Sequence, residues 1–137
     1  MTVLGRIHCG ALNASETILN DLAIAEDQQS GCIRFSRFEP GSILPRRFQC
    51  IPSEEQAAGC TGPGRCFGPV FNSRRFGRPD FAQLATACPP EILSASEQRS
   101  EIGAFTGALN PIRLHNLRTK LEEFMPVGLN PVIIAET

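Results

Sequence analysis

The chain has 137 residues, which is enough for one domain with a hydrophobic core and too short for two ordinary domains. Apolar residues make up 42% of it, charged residues 20%, and the net charge is −1, which excludes a disordered or supercharged polypeptide. No apolar run is long enough for a transmembrane span, and the first residues lack a secretory-signal pattern. We therefore expect a soluble chain that is cytoplasmic by default and makes no membrane contact.

Charge is distributed unevenly along the chain. Residues 1–33 carry one Arg and four acidic residues (−3), residues 34–78 carry eight Arg and three Glu (+5), and residues 79–137 carry four basic and seven acidic residues (−3). A basic middle section can pair with the acidic ends, with a second subunit, or with an external anion such as nucleic acid. Because the whole chain is slightly acidic, internal or subunit pairing is favoured.

Short strands dominate the predicted structure of residues 1–38. Apolar side chains alternate with small or polar ones around Ile7, Leu12, Leu22 and Cys32, and turn residues separate these runs. This pattern predicts a β-rich N-terminal layer.

A repeat of about fifteen residues is visible in the same part of the chain, between segments 2–5, 16–19 and 31–34. Such spacing is typical of the coils of a parallel β-solenoid, whereas an antiparallel meander explains the alternation without any repeat. The sequence favours neither alternative. The predicted fold class is mixed and β-rich, with a short β-solenoid-like or β-meander N-terminal layer.

Residues 39–90 are predicted to be mostly loop, because Pro and Gly recur throughout this section. Seven of the nine Phe residues fall between residues 35 and 81, so these loops must bury their rings against something. Within the section, residues 80–87 could form two helical turns, with Asp80 as the N-cap. The prolines at 89 and 90 would end them.

The clearest helix pattern lies in the last section, residues 91–137. Asn110 is predicted as the N-cap and Pro111 as the first helical residue of an amphipathic helix over 110–125. We expect this helix to cap the β-rich layer. Further along, residues 132–134 have the composition of a buried strand.

Six cysteines raise the question of disulfides or zinc. The chain shows no export signal, no Cys-x-x-Cys and no His pair, so neither a disulfide framework nor a metal site is expected. A loop disulfide between Cys60 and Cys66 is the one pairing that we keep open. No cofactor is predicted.

Nucleophilic catalysis requires a base beside the nucleophile, and the chain has only His8 and His115. Neighbouring side chains on a strand point to opposite faces, so His8 is not placed to activate Cys9. His115, on the predicted helix, could meet a cysteine of the middle section only through folding. We therefore predict no catalytic residues and no enzymatic activity.

Arginines of the middle section are the candidate interaction residues. They are interleaved with Phe48 and Phe76, and they offer bidentate contacts and stacking planes to an anion. The competing interpretation is that they tie loops to acidic groups of the same chain. The candidates are Arg46, Arg47, Arg74, Arg75 and Arg78.

Several sequence blocks occur in an order that resembles the C-terminal portion of large bacterial proteins without an established activity. The resemblance extends over most of the chain and rests on GCIRFS (31–36), PGS (40–42), PRRFQC (45–50), FGRPDFAQL (76–84), CPPEI (88–92) and EIGAFT (101–106). In such proteins the preceding part resembles right-handed β-helix turns, which implies that this chain is a terminal coil with its cap. Residues 57–67, which contain Cys60 and Cys66, depart from that pattern.

These observations predict a single domain over residues 1–137, with β coils, a loop section and a helix-containing cap at 1–38, 39–90 and 91–137. Open coils expose unpaired backbone groups, so a homo-oligomer or a larger protein assembly is expected. We therefore expect a structural module that self-associates or docks into a larger, phage-tail-like particle. The alternative is an anion- or nucleic-acid-binding module that uses the candidate arginines.

Overall fold

Parallel strand pairs organise the N-terminal part of the molecule. The computed structural model describes residues 1–53, 56, 67–78 and 80–133. Seven short strands form three ladders, and every strand pair in these ladders is parallel. The strands are β1 (Thr2–Val3), β2 (Ile7–Cys9), β3 (Leu12–Ser15), β4 (Ile18–Leu19), β5 (Ala23–Ala25), β6 (Gly31–Arg34) and β7 (Arg46–Phe48).

The chain contributes a strand or a bridge to each of the three ladders in the same order, and it does so three times. β1 pairs with β4, β2 with β5, and β3 with β6, which in turn pairs with β7. Single bridges extend the first ladder from Ile18 to Arg37 and on to Ile51, and the second ladder from Ile24 to Ile43. We call the three rounds the first, second and third pass: residues 2–15, 18–34 and 37–48.

The mixed, β-rich fold class is thereby confirmed, and the antiparallel meander is wrong for these strands because all of their pairs are parallel. The first two segments of the predicted repeat contribute to the same ladder, but the register is shifted by two residues, since Thr2 lies opposite Ile18 and not opposite Glu16. The third segment, 31–34, pairs instead with β3 and so belongs to a different ladder.

Each pass turns from the third ladder back to the first through a residue with positive φ. These residues directly follow β3, β6 and β7: Glu16 (φ 52°), Phe35 (φ 47°) and Gln49 (φ 47°). Left-handed backbone is unfavourable for residues with a side chain, so it is retained only where the surrounding structure requires it. The amide of Glu16 donates to the carbonyl of Arg34, and that of Phe35 to the carbonyl of Phe48, so these corners stack on one another.

Inward-facing side chains of the three passes form one apolar cluster. Alternation along the strands directs every second side chain to this face. In the second pass Leu19, Ala23 and Ile33 are completely buried, with exposed fractions of 1%, 0% and 0%. Phe38 continues the cluster into the third pass.

A second apolar cluster lies on the outer face of the first ladder. The chain that covers this face comes from residues 67–78 and 80–105, which we call the covering layer; it contains the short helix α1 (Pro90–Leu93). Burial on this side removes β4 of the first ladder from water on both faces. The buried members are Ile18 of β4 and, from the covering layer, Leu84, Cys88, Ile92 and Ile102.

Residues 80–87 of the covering layer are not the two helical turns predicted from their composition. Phe81 and Leu84 form isolated bridges to Ser73 and Phe71, and Ala82 has a φ of 61°, which a right-handed helix cannot contain. The burial of Leu84 against the first ladder favours this conformation over a helix.

Arg37 joins the first ladder, the third pass and the covering layer. Its side chain is fully buried, and its guanidinium donates to the carbonyl oxygens of Leu19 (3.0 Å) and Phe67 (3.3 Å) and to the carboxylate of Glu39. An ionised group in an apolar interior is costly unless it is paired and hydrogen-bonded. These three partners supply that compensation.

Gly103 marks the closest approach of the covering layer to the first ladder. A Cβ atom there would lie 2.7 Å from Oγ1 of Thr2 and 2.8 Å from Cδ1 of Ile18, and the glycine has a φ of 108°. The Gly103 amide donates to the carbonyl of Glu16 (2.9 Å), and its own carbonyl accepts from the amino group of Met1 (2.7 Å). The covering layer is thus fastened to the edge of the first pass.

A 15-residue helix, α2 (Asn110–Phe124), confirms the helix predicted over 110–125. Its N-cap is Leu109 in the left-handed conformation, so the prediction of Asn110 at that position is wrong by one residue. No side chain of α2 is buried. The capping role expected of this helix therefore falls to the covering layer.

The strand predicted at 132–134 is absent from residues 132 and 133, and Val132 is 80% exposed. Residue 134 lies outside the described residues. Of the helices that the structure describes, none combines the length and apolar character that a membrane crossing requires.

Replacing Arg37 by Met should lower the free energy of unfolding by about 3–5 kcal/mol, because the buried Glu39 carboxylate loses the cation that it faces. A matched control is Arg34→Met, which changes an exposed arginine of β6 and should alter stability by less than about 0.5 kcal/mol. Urea unfolding followed by circular dichroism compares both variants with the parent. Equal midpoints for the two variants would contradict the role assigned to Arg37.

Candidate interaction surfaces

Arg46 and Arg47 lie on β7, the edge strand of the third ladder. Arg47 is in register with inward-facing Ile33, and its guanidinium carbon lies 5.2 Å from the centre of the Phe38 ring. Arg46 points to the opposite face, because side chains alternate along a strand, and it is exposed. Arg47 therefore covers the end of the inward cluster, while Arg46 extends into solvent.

The other three candidate arginines belong to the covering layer. The guanidinium carbon of Arg74 lies 5.7 Å from the centre of the Phe71 ring, and Nε of Arg78 lies 3.4 Å from Oδ1 of Asp80. Arg75 is exposed. The structure therefore divides the five arginines between two elements, and three of them contact aromatic or acidic groups of their own chain.

A wide cavity of about 760 Å³ opens between the covering layer and the turns that join the first ladder to the second. Three arginines and two acidic residues line it, which leaves one positive charge in excess: Arg6, Arg37, Arg74, Asp21 and Glu39. Arg6 and Arg37 carry no sequence signal of a binding role, because neither is part of an arginine pair. The cavity suits a small anion better than a cation, and it is open to solvent along one side.

Free thiols are present at four cysteines in the described part of the chain. Burial raises the pKa of the Cys50 and Cys88 thiols, which favours the protonated and unreactive form. Cys60 and Cys66 lie outside the described residues, and with them the predicted loop disulfide. The four free cysteines are Cys9, Cys32, Cys50 and Cys88.

Neither histidine meets a cysteine at hydrogen-bonding distance among the contacts of the described residues. Nε2 of His8 lies 3.5 Å from Oε1 of Glu26, whereas the neighbouring Cys9 thiol is directed at the carbonyl of Ile24 (3.9 Å). His115 is exposed on α2. Within the described ranges, no three His, Cys, Asp or Glu side chains converge as a metal site.

The first pass leaves the inward cluster partly exposed. Its inward side chains are only half-buried, although Leu19, Ala23 and Ile33 of the second pass are buried. Within the described residues β1, β2 and β3 also have a strand partner on one side only, so a row of backbone groups is left unpaired by strands. We call this surface the open end, and its inward side chains are Val3, Ile7, Leu12 and Ala14.

The opposite end of the inward cluster is better covered. Arg47 lies over the Phe38 ring, and Phe38 is only 3% exposed. Pro52, just after the third pass, is among the fully buried side chains. The two ends of the stacked passes therefore differ in degree: beside buried Phe38 the third pass leaves Leu44 and Cys50 half-buried, whereas all four inward side chains of the open end are half-buried.

A buried carboxyl group holds the start of α2. Glu101 is 2% exposed and accepts a hydrogen bond from Nδ2 of Asn110 (2.8 Å), the first residue of the helix. Burial raises the pKa of Glu101, and the hydrogen bond from Asn110 opposes that rise. The anchor lies at one end of α2, and no side chain of the helix is buried.

Comparison with known proteins identifies no relative of this chain. No protein-family model matches it, no curated protein matches it, and no solved structure matches it. The function is therefore inferred from the surfaces described above.

The pH dependence of stability tests the state of Glu101. Because its pKa is higher in the folded chain than in the unfolded chain, the folded chain binds this proton more tightly. The contribution of Glu101 to the free energy of unfolding should be largest below the unfolded-state pKa and should fall as the pH rises through the folded-state pKa. Glu101→Gln, which keeps an acceptor for Asn110, should remove this component.

Urea unfolding of the parent and of Glu101→Gln at about pH 4 and about pH 7.5 measures the difference. The parent should lose more stability than the variant between the two pH values. An equal loss in both proteins would show that the Glu101 carboxyl is not perturbed by burial.

Proposed function

We propose that the chain is a non-enzymatic assembly module, the terminal coils and cap of a β-solenoid that self-associates through the open end. The observation that carries this proposal is the unequal covering of the inward cluster, which is buried in the second pass and half-exposed in the first. Apolar side chains beside free strand edges form a surface that tends to associate.

The regular pairing of the passes supports the solenoid interpretation. Each pass adds a strand or a bridge to each ladder, always in parallel, and the corner after the third ladder repeats its left-handed residue. In a solenoid every coil supplies the next with backbone partners, so terminal coils need a cap or a partner. The covering layer flanks the coils, and association would cover the open end.

The alternative, an anion- or nucleic-acid-binding module, has less support. Arg47, Arg74 and Arg78 contact Phe38, Phe71 and Asp80 of their own chain, so three of the five candidate arginines already have partners. Recognition of a nucleic acid backbone generally uses several exposed cations on one face.

Docking into a larger, phage-tail-like particle would use the same open end as self-association.

A charge introduced at the open end should prevent association. In Ala14→Lys an ammonium group replaces a half-buried inward methyl group of β3, which opposes burial of this surface. We expect association to weaken at least about tenfold. Ala11→Lys, at the exposed residue just before β3, is the matched control and should associate like the parent.

Sedimentation equilibrium of the three proteins, with a reductant present, measures the association constants. Circular dichroism confirms that each variant retains its fold. A parent that is monomeric up to about 100 µM, or a folded Ala14→Lys that associates like Ala11→Lys, would contradict the proposed function.

A further inference from the structure

An apolar stripe runs along the exposed side of α2. Its four members recur at intervals of three, four and three residues, so they lie within about 80° of one another around the helix axis. Leu114, Leu117 and Phe124 are 38%, 45% and 83% exposed, and Leu121 is half-buried. A helix with such a stripe generally buries it against another surface. We call these four residues the α2 stripe.

Basic side chains border the α2 stripe on both sides. Arg113 and Lys120 lie on one flank and Arg118 on the other, as their positions around the helix show. The two glutamates of the helix, Glu122 and Glu123, lie away from the stripe. Whatever covers the stripe therefore meets cations at the rim, and an acidic rim would complement it.

The charge of the flanks argues against packing two α2 helices on each other. Such a pair would place Arg113, Arg118 and Lys120 of one helix against the same residues of the other, and like charges at an interface are unfavourable. The occupant of the α2 stripe should instead be apolar at its centre and acidic around it.

The open end has this character. Its centre is formed by the half-buried side chains of the first pass, and residues 1–33 carry a net charge of −3. Glu26 and Asp27 stand directly beside the first pass, because their amides donate to the carbonyls of Cys9 (3.0 Å) and Gly10 (2.8 Å). Arg6 is the one arginine of this segment, and the Met1 amino group is held by two backbone carbonyls.

The two surfaces also match in length. Residues 114 to 124 of a helix span about 15 Å, and the four residue steps from Val3 to Ile7 in the first pass span at most about 13 Å. The α2 stripe is thus long enough to lie across one side of the open end.

The start of α2 lies close to the first pass. The amide of Ala104 donates to Oγ1 of Thr2 (2.9 Å), and the carbonyl of Gly103 accepts from the amino group of Met1. These last contacts of the covering layer with the first pass lie only a few residues before the start of α2. Within one chain the helix buries no side chain and the first pass stays half-exposed. A two-fold axis between two copies would place each α2 near the other copy's open end.

We propose that two copies of this chain form a closed dimer in which α2 of each copy covers the open end of the other. The α2 stripe lies on the first-pass side chains, and Arg118 and Lys120 face the acidic corner at Glu26 and Asp27. This inference rests on the proposed function, which it deepens by naming the occupant of the open end.

Complementary charge reversal tests this pairing. One variant, R118E/K120E, makes the flanks of α2 acidic; the other, E26R/Q28R, makes the corner basic and leaves the Asp27 side chain that accepts from the amides of Gln29 and Ser30. All four changed residues are exposed, so both variants should fold like the parent. Each variant alone should dimerise at least about tenfold more weakly than the parent.

An equimolar mixture of the two variants should recover dimerisation to within about threefold of the parent, because every rim contact in the mixed dimer again joins opposite charges. Sedimentation velocity with one variant carrying a fluorescent label measures the mixed species, and circular dichroism checks the fold of each.

The outcomes separate this inference from the proposed function. A monomeric parent would overturn both. A parent that associates, with variants that associate equally well or that stay apart when mixed, would overturn the α2 pairing and leave association through the open end intact.

Discussion

Every strand of the three passes depends on a neighbouring pass for its backbone partners, and this dependence shapes the molecule. Parallel pairing between successive passes satisfies the interior strands and leaves a free edge at each end of the stack. At the far end, Arg47 over Phe38 and buried Pro52 reduce the exposure of the core. At the open end no such cover exists within the described residues, and the proposed assembly follows from that difference.

The sides of the stack raise a separate problem, because the first ladder carries apolar side chains on its outer face as well. The covering layer buries this face with residues that follow β4 by more than sixty positions, such as Leu84 and Ile102. Arg37 pairs with Ile18 in the first ladder. Its guanidinium donates hydrogen bonds to the carbonyl of Leu19 in that ladder and to the carbonyl of Phe67 in the covering layer. A buried cation with three partners orients the layers through directional bonds, which apolar contacts alone do not provide.

The sequence predicts best those features that depend on neighbouring residues. Alternation identifies strands at Ile7, Leu12 and Cys32, and the spacing of leucines identifies α2, because both patterns are local. The direction of strand pairing is not local, and only the register of Thr2 against Ile18 establishes it.

The covering layer and the open end were harder to predict. Residues 80–87 read as a helix, and only the distant contact of Leu84 with Ile18 explains why they bridge other segments instead. The pair Arg74–Arg75 is recognisable in the sequence as a candidate interaction site, whereas buried Arg37 lies alone in a strand-like run. The open end results from the stacking of the passes and not from a sequence motif, although the alternation of Leu12 and Ala14 is present in the sequence.

Hydrogen–deuterium exchange at several protein concentrations tests the central claim most directly, because it reads the backbone amides of the open end without any substitution. If copies associate through this surface, amides of β1, β2 and β3 should exchange more slowly as the concentration rises above the dissociation constant, while amides of the second pass should not change. Exchange in β1 to β3 that is independent of concentration, in a chain whose molar mass increases over the same range, would place the interface elsewhere and contradict the account.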